Sequence, residues 1–246
     1  MWRLLNQIDI TGKNKIEIAI DRLKAFEPKE ENYYVAISGG KDSDAIVKLC
    51  QLACVKYELH HQHTTLDAPE TVRYIRETYP ECIIDYPKRT AWQLIVEQGI
   101  PPTRLMRYCC KELKEYGGEG RRKVLGIRWA ESTGRKNKRM MVERCYKNDT
   151  TTINPIIDWT ESEVWEFHRL YNIPHNPLYD MGYKRVGCIG CPQKGKKGME
   201  EDFKRFPKYK ENYLKAFRKM LKVRKTKGLK TTWKTAEEVF EWWINL

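Results

Sequence analysis

Residues 33–50 read YYVAISGGKDSDAIVKLC. An apolar strand-like run, a Gly-Gly turn and the start of an amphipathic helix follow one another without a spacer. Ala45, Ile46, Leu49 and Cys50 form an apolar stripe at helical spacing, and Asp42 and Ser43 suit the helix N-terminus. A buried strand that feeds directly into a helix calls for a second strand beside it and a parallel sheet.

The rest of the chain continues that alternation. Residues 14–26 carry Ile16, Ala19, Ile20, Leu23 and Phe26 on one helical face, and Pro28 marks the stop. VKYELHHQH, CIIDYP and KVLGIRW read as strands. PETVRYIRETY, AWQLIVEQ and TESEVWEFHRLYN read as helices, the last opened by a capping box from Thr160 to Glu163. The expected fold class is α/β, a doubly wound and mostly parallel sheet with a helical C-terminal appendage. After Cys191 the pattern changes. Residues 208–225 read as a basic helix with Tyr213, Leu214, Phe217 and Leu221 on one face, and a second capping box at 235–238 leads into VFEWWINL. The expected layout is an N-terminal helical segment at 1–28, a main domain at 29–195 and a basic helical appendage at 196–246.

The charge follows the same division. The 246-residue chain has a net charge of +13. Residues 194–234 hold 16 Lys/Arg against 4 Asp/Glu, so nearly all the excess sits there. Such a stretch attracts DNA, RNA or another polyanion, and a solvated basic face is the plain alternative. No run approaches the ~18 apolar residues of a membrane span. The first residues, MWRLLNQIDITGKNK, are too polar for a signal peptide. A soluble cytoplasmic protein, with no membrane partner, is the expectation.

The 38–43 loop does not have the spacing of the common eight-position nucleotide loop. It can still hold an anion. Gly39 and Gly40 let backbone N–H groups turn toward one point, and the helix N-terminus adds its own unpaired donors. Lys41 would add charge, and the Ser38 and Ser43 hydroxyls would donate. Asp42 would repel a phosphate, so capping or metal contact suits it better. The alternative is an ordinary strand–helix turn.

SGGKDS resembles the pyrophosphate-loop (PP-loop) motif of the adenine nucleotide α-hydrolase superfamily, which has a Rossmann-like fold. TTLDAPET at 64–71, LGIRWAES with Arg135, NPIIDWTESEVWEF and IPHNPLYDMGYKRVGCIGCP resemble later elements of the phosphoadenosine phosphosulfate (PAPS) reductase family. The resemblance covers about residues 30–195 and makes 29–195 the nucleotide-binding domain. It implies nucleotide binding by Ser38, Gly39, Gly40, Lys41, Asp42, Ser43, Asp67, Gly126, Arg128 and Arg135, with Lys41, Asp42 and Ser43 in the catalytic part. The nucleotide is ATP, with magnesium, or adenylyl sulfate (APS) or PAPS. Arg128 and Arg135 suit oxyanions through their guanidinium forks. Arg104 and Arg107 are weaker candidates for the same anion. Asp67 and Glu70 suit either the nucleotide or a helix cap.

The chain has eight cysteines. Cys109 and Cys110 are separated by 77 residues from Cys188, which opens a Cys-x-x-Cys turn closed by Cys191. Two pairs complete four ligands. Adjacent cysteines are awkward for tetrahedral zinc and suit a larger cluster, with zinc and free thiols as alternatives. The set resembles the one that holds a 4Fe–4S cluster in APS reductases and in enzymes that insert sulfur into DNA backbones. Lys114 then matches a lysine near that cluster. The reductases also carry a C-terminal catalytic cysteine, whereas no cysteine follows Cys191. Cys145 reads as an ordinary thiol.

His60, His61 and His63 read as strand residues rather than metal ligands, and Trp242 and Trp243 as packing of the last helix. Three functions remain open. The first is ATP-dependent adenylation and sulfur transfer to a nucleic acid, DNA or tRNA, with a sulfur donor protein. The second is an APS/PAPS reductase that makes sulfite with an external thiol. The third is a nucleotide-sensing nucleic acid binder. A homodimer is compatible with each.

Overall fold

The structure is a computed structural model that describes residues 3–246, with Arg3 described by its backbone alone. Met1 and Trp2 of the expected N-terminal segment lie outside the described residues. In chain order the helices are α1 (Arg3–Asn6), α2 (Lys15–Ala25), α3 (Lys41–Ala53), α4 (Pro69–Thr78), α5 (Ala91–Gln98), α6 (Tyr108–Leu113), α7 (Thr133–Lys138), α8 (Glu161–Leu170), α9 (Gly195–Arg205), α10 (Pro207–Thr226) and α11 (Ala236–Ile244). The strands are β1 (Tyr33–Ala36), β2 (Tyr57–Gln62), β3 (Ile83–Asp85), β4 (Arg122–Val124), β5 (Val142–Cys145) and β6 (Thr150–Ile153).

The six strands form one sheet in the order β3-β2-β1-β4-β6-β5. β1 runs parallel to β2 and β4, with Val35 opposite Leu59 on one side and Val124 on the other. β4 and β6 are also parallel, while β5 is antiparallel to β6. The doubly wound, Rossmann-like α/β class is therefore correct, and the antiparallel edge hairpin is an addition the sequence did not announce. The loop after β1 leaves the sheet where the connections diverge, β2 on one side and β4 on the other. In open α/β sheets, crevices for ligands form at such points.

Contacts group the chain into two compact units. The first runs through residue 61, then takes Glu70–Ile84 and Gly117–Val186. Tyr33, Val35, Ile46, Leu49, Leu59, Ile75, Val124, Ile153, Trp159 and Phe167 are in its core. Its helix ends are locally specified. Asn14 caps α2 and Thr160 caps α8, each in a reciprocal capping box with the glutamate three residues on.

The second unit takes Gln62–Pro69, Asp85–Tyr116 and Gly187–Leu246. Helix α10 packs on α5 and α11. Its buried face is Tyr213, Ala216, Phe217 and Met220. The expected Leu214 and Leu221 are only half-buried, because the contact face turns toward Trp243 and Phe203. Trp243 is buried, and its indole N–H donates to Pro102 O over 2.6 Å. Helix α11 opens differently from the expected capping box. Thr235 Oγ1 accepts from Glu238 N, but Glu238 Oε2 takes the N–H of Lys234 instead of Thr235.

Candidate functional site

The 38–43 loop of the first unit folds around one hydroxyl. Ser43 Oγ donates to Gly40 O over 2.7 Å and accepts the N–H groups of Gly40 and Ser38 at 3.2 and 3.3 Å. The Lys41 N–H donates to Tyr179 OH over 2.9 Å. Asn176 Nδ2 donates to Gly39 O and to Thr71 Oγ1. Gly39 sits at φ +68°, and a Cβ there would lie 2.9 Å from Thr71 Cγ2. That position needs glycine for conformation and for space. The Ser43 hydroxyl, expected to face a phosphate, spends its proton inside the loop.

Lys41 is 4% exposed. Its ammonium lies 5.4 Å from the Tyr179 ring centroid and 6.0 Å from that of Trp165. Glu161 Oε1 is 3.7 Å away and Asp42 Oδ2 4.0 Å. The imidazole Nε2 of His168 is 2.8 Å from Lys41 O. Burial lowers the affinity of His168 for a proton, so the ring is held neutral. As a neutral ring it donates from Nε2 to that carbonyl. Tyr179, Asn176 and His168 were not singled out in the sequence. The signal was available for the first two, since both lie within IPHNPLYDMGYKRVGCIGCP.

Arg128 is buried, and its Nε donates to Asp42 Oδ1 over 2.6 Å. Asp42, a candidate for capping or metal contact, gives one of its oxygens to this arginine. Gly126 lies against the same residue, where a Cβ would be 2.9 Å from the Asp42 carbonyl carbon. Arg135 pairs with Glu131, and Arg185 reaches the other Glu131 oxygen at 3.7 Å. Burial depresses Arg135 to about 10, and the charges of Arg185 and Arg139 push the same way. Several guanidinium groups crowd one side of the loop with too few carboxylates between them. Such a place favours an incoming polyanion.

The four candidate metal ligands come together in the second unit. Cys109 and Cys110 lie on α6, and Cys188 and Cys191 bracket the turn before α9. Their thiols alter one another's titration. Cys110 is pulled down, first by a hydrogen bond from Cys109, then by Arg107 and Lys114 against the opposing effect of burial. Cys109 is correspondingly pushed up, with Cys188 and Cys191 contributing. Lys114 is an exposed residue whose ammonium end still has many protein atoms around it. Its ammonium is stabilised first by the Cys188 charge and then by Asp67 and Cys191, against burial. Arg107 is raised chiefly by Cys110. Four soft thiols flanked by two cations suit an iron–sulfur cluster, whose ligand sulfurs stand farther apart than those around one zinc ion, and the cations offset the thiolate charge.

Asp202 shapes that turn and was missed in the sequence. It is fully buried, its Oδ2 accepts the Gly190 N–H at 2.8 Å, and both oxygens take Lys194 Nζ. Arg104 Nε donates to Pro192 O over 3.2 Å. Asp67 falls in the second unit, where its Oδ2 accepts the Thr64 N–H at 2.7 Å. Glu70 opens α4 in the first unit. No described helix is long and apolar enough to cross a membrane.

The phosphoadenosine phosphosulfate reductase domain family matches residues 32–194. An uncharacterized protein of Methanocaldococcus jannaschii is 29% identical over 212 residues, which are 81% of this chain and 50% of that protein. The chain thus spans about half the length of that curated relative. An adenosine 5'-phosphosulfate reductase of Staphylococcus epidermidis is 25% identical over 205 residues, 76% of this chain and 81% of the enzyme. The crystal structure of a PAPS reductase from Candida auris, a phosphate complex, superposes with a TM-score of 0.52 at 18% identity. The superposition covers 69% of this chain and 87% of that one, and it speaks for the fold. Taken with the loop, the arginines and the paired cysteines, the match over 32–194 makes this chain a member of the phosphoadenosine phosphosulfate reductase domain family.

Proposed function

We propose that the chain activates an acceptor with ATP at the 38–43 loop and transfers sulfur to a nucleic acid. The observation that carries the nucleotide part is the loop folded round Ser43, with the crowded guanidinium groups of Arg128, Arg135 and Arg185 beside it. These groups would hold the phosphates. An acceptor oxygen attacks the α-phosphorus, and the bond to the β-phosphate oxygen breaks. Pyrophosphate leaves with the electron pair, and the arginines spread its charge, which a magnesium ion would also offset when bound. A sulfur nucleophile from a donor protein then displaces AMP. The exposed lysines of α10 support a nucleic acid as the acceptor. Cys109, Cys110, Cys188 and Cys191 would hold a 4Fe–4S cluster, with Lys114 and Arg107 offsetting its charge. When bound, such a cluster supplies Lewis-acid or electron-transfer chemistry for sulfur.

A second reading, reduction of APS or PAPS with an external thiol, is favoured by the named activity of the Staphylococcus epidermidis relative. Calorimetry on anaerobically purified protein separates the two. Preferential binding of ATP with magnesium, followed by pyrophosphate release on adding an RNA or DNA acceptor, supports the first. Preferential binding of APS or PAPS, with sulfite formed when a thiol is added, replaces it with the second.

A further inference from the structure

Within the second unit, α5 and α10 border a groove of about 460 Å³. Trp92, Val96 and Ala216 supply its apolar lining, and Asn212, Lys215 and Lys219 its polar lining. The indole of Trp92 is half-buried and meets Tyr213 edge-on at 4.7 Å, so the ring is held rather than free to swing. Lys215 and Lys219 stand one helical turn apart, and both are exposed. Among the described residues neither lies within salt-bridge distance of a carboxylate. Glu97, the acid in the lining, is held by Arg89 at 2.7 Å. Lys208 and Lys222 fall on the same stripe of α10 at helical spacing, which extends the row to about 21 Å at 1.5 Å per residue, with Glu211 as the one acid on it.

A fixed indole beside a row of uncompensated ammonium groups is complementary to a flat base joined to phosphates. A groove of this volume takes a ring and a strand of backbone, whereas a duplex keeps its bases stacked inside. We propose that this groove docks a single-stranded segment of nucleic acid, with a base against Trp92 and phosphates on Lys215 and Lys219. The proposal rests on the acceptor reading above and names the surface that meets the acceptor.

The test is fluorescence anisotropy of a labelled 12-nucleotide mixed-sequence RNA or DNA strand with the full chain, over a series of salt concentrations. Each phosphate contact to a single strand contributes about 0.7 to the slope of log K against log salt, so K215Q/K219Q should flatten it by about 1.4. K24Q/K29Q removes the same charge from exposed positions of the first unit and should leave the slope unchanged. W92A should weaken binding by at least about fivefold, the lower end for one base–aromatic stack, while W92F retains a ring and most of the affinity. Circular dichroism and melting of W92A guard against a folding defect. Equal flattening by the two double variants would reduce the effect to net charge and overturn the proposal. So would a duplex or polyglutamate that binds as tightly as the single strand and is indifferent to W92A. Pyrophosphate release is followed in the same variants. If the strand binds through the groove but is never adenylated, the docking surface stands and the acceptor chemistry above fails.

Discussion

The Arg128 side chain donates from Nε to Asp42 Oδ1 over 2.6 Å, which joins two segments 86 residues apart in sequence. Arg128 is 3% exposed, while the Asp42 side chain retains 22%. The pair ties the 38–43 loop to the segment that follows β4, and Asp42 offsets the Arg128 charge while Arg135 and Arg185 share the single carboxylate of Glu131.

Removing the carboxylate should therefore destabilise the fold more than an exposed ion pair would. Asp42→Ala strands a buried guanidinium at a cost of about 2 kcal/mol, below the full buried-pair value because Asp42 is partly solvated. Urea denaturation measures it. A change below about 0.5 kcal/mol would mean that water replaces the carboxylate without loss.

The two loop glycines should behave differently. Gly39→Ala meets Thr71 and forces a side chain into the left-handed region, which costs about 1–3 kcal/mol. At Gly40 the nearest atoms to an added Cβ are 3.4 and 3.5 Å away, so Gly40→Ala should cost about 1 kcal/mol or less. Thermal melts and ATP titration compare them, and equal effects would contradict the packing described here.

Asp44 introduces a pH dependence. Burial pushes its carboxyl from 3.8 up to about 8, against hydrogen bonds from Tyr74 and Tyr79. Proton counting agrees. The single Tyr74 hydroxyl proton faces both Asp44 Oδ2 and Pro174 O, each at 3.0 Å. A protonated Asp44 donates to Tyr74, which frees Tyr74 to donate to Pro174. The folded pKa lies above the unfolded one, so this group's stabilisation is complete below about pH 4 and is lost as the pH rises toward 8. Asp44→Asn cannot titrate, and the stability difference between wild type and variant should shrink over that window. A difference constant between about pH 5 and 9 would show Asp44 ionised throughout.

At the cysteine site, Cys109→Ser, Cys110→Ser, Cys188→Ser and Cys191→Ser should each lose iron and visible absorbance after anaerobic reconstitution. Cys54→Ser and Cys145→Ser, both on exposed thiols outside the set, should not. Asp202→Ala leaves every thiol in place but removes the acceptor that holds the Gly190 N–H, so iron content should fall; Asp202→Asn keeps an acceptor oxygen and should preserve it. Zinc in place of iron, with the same dependence on four cysteines, would keep the ligand set and change the metal.

The sequence by itself determined what depends on neighbours within a few residues. Periodicity placed the strand, turn and helix around the 38–43 loop, and the Thr160–Glu163 pair closed as a capping box because three residues set its geometry. The paired cysteines stood out in the sequence as a candidate ligand set because thiols in such spacing are rare without a metal or redox use. Only tertiary structure decided which partners distant groups would choose. Asp42 took Arg128, Asp202 took Gly190, and Asp44 took Tyr74 and Tyr79 because burial removes water as a competing partner. The face of α10 shifted from Leu214 and Leu221 to Ala216 and Met220 for the same kind of reason. Several faces of a basic helix are amphipathic enough to bury, and the packing of α5 and α11 against it selected one.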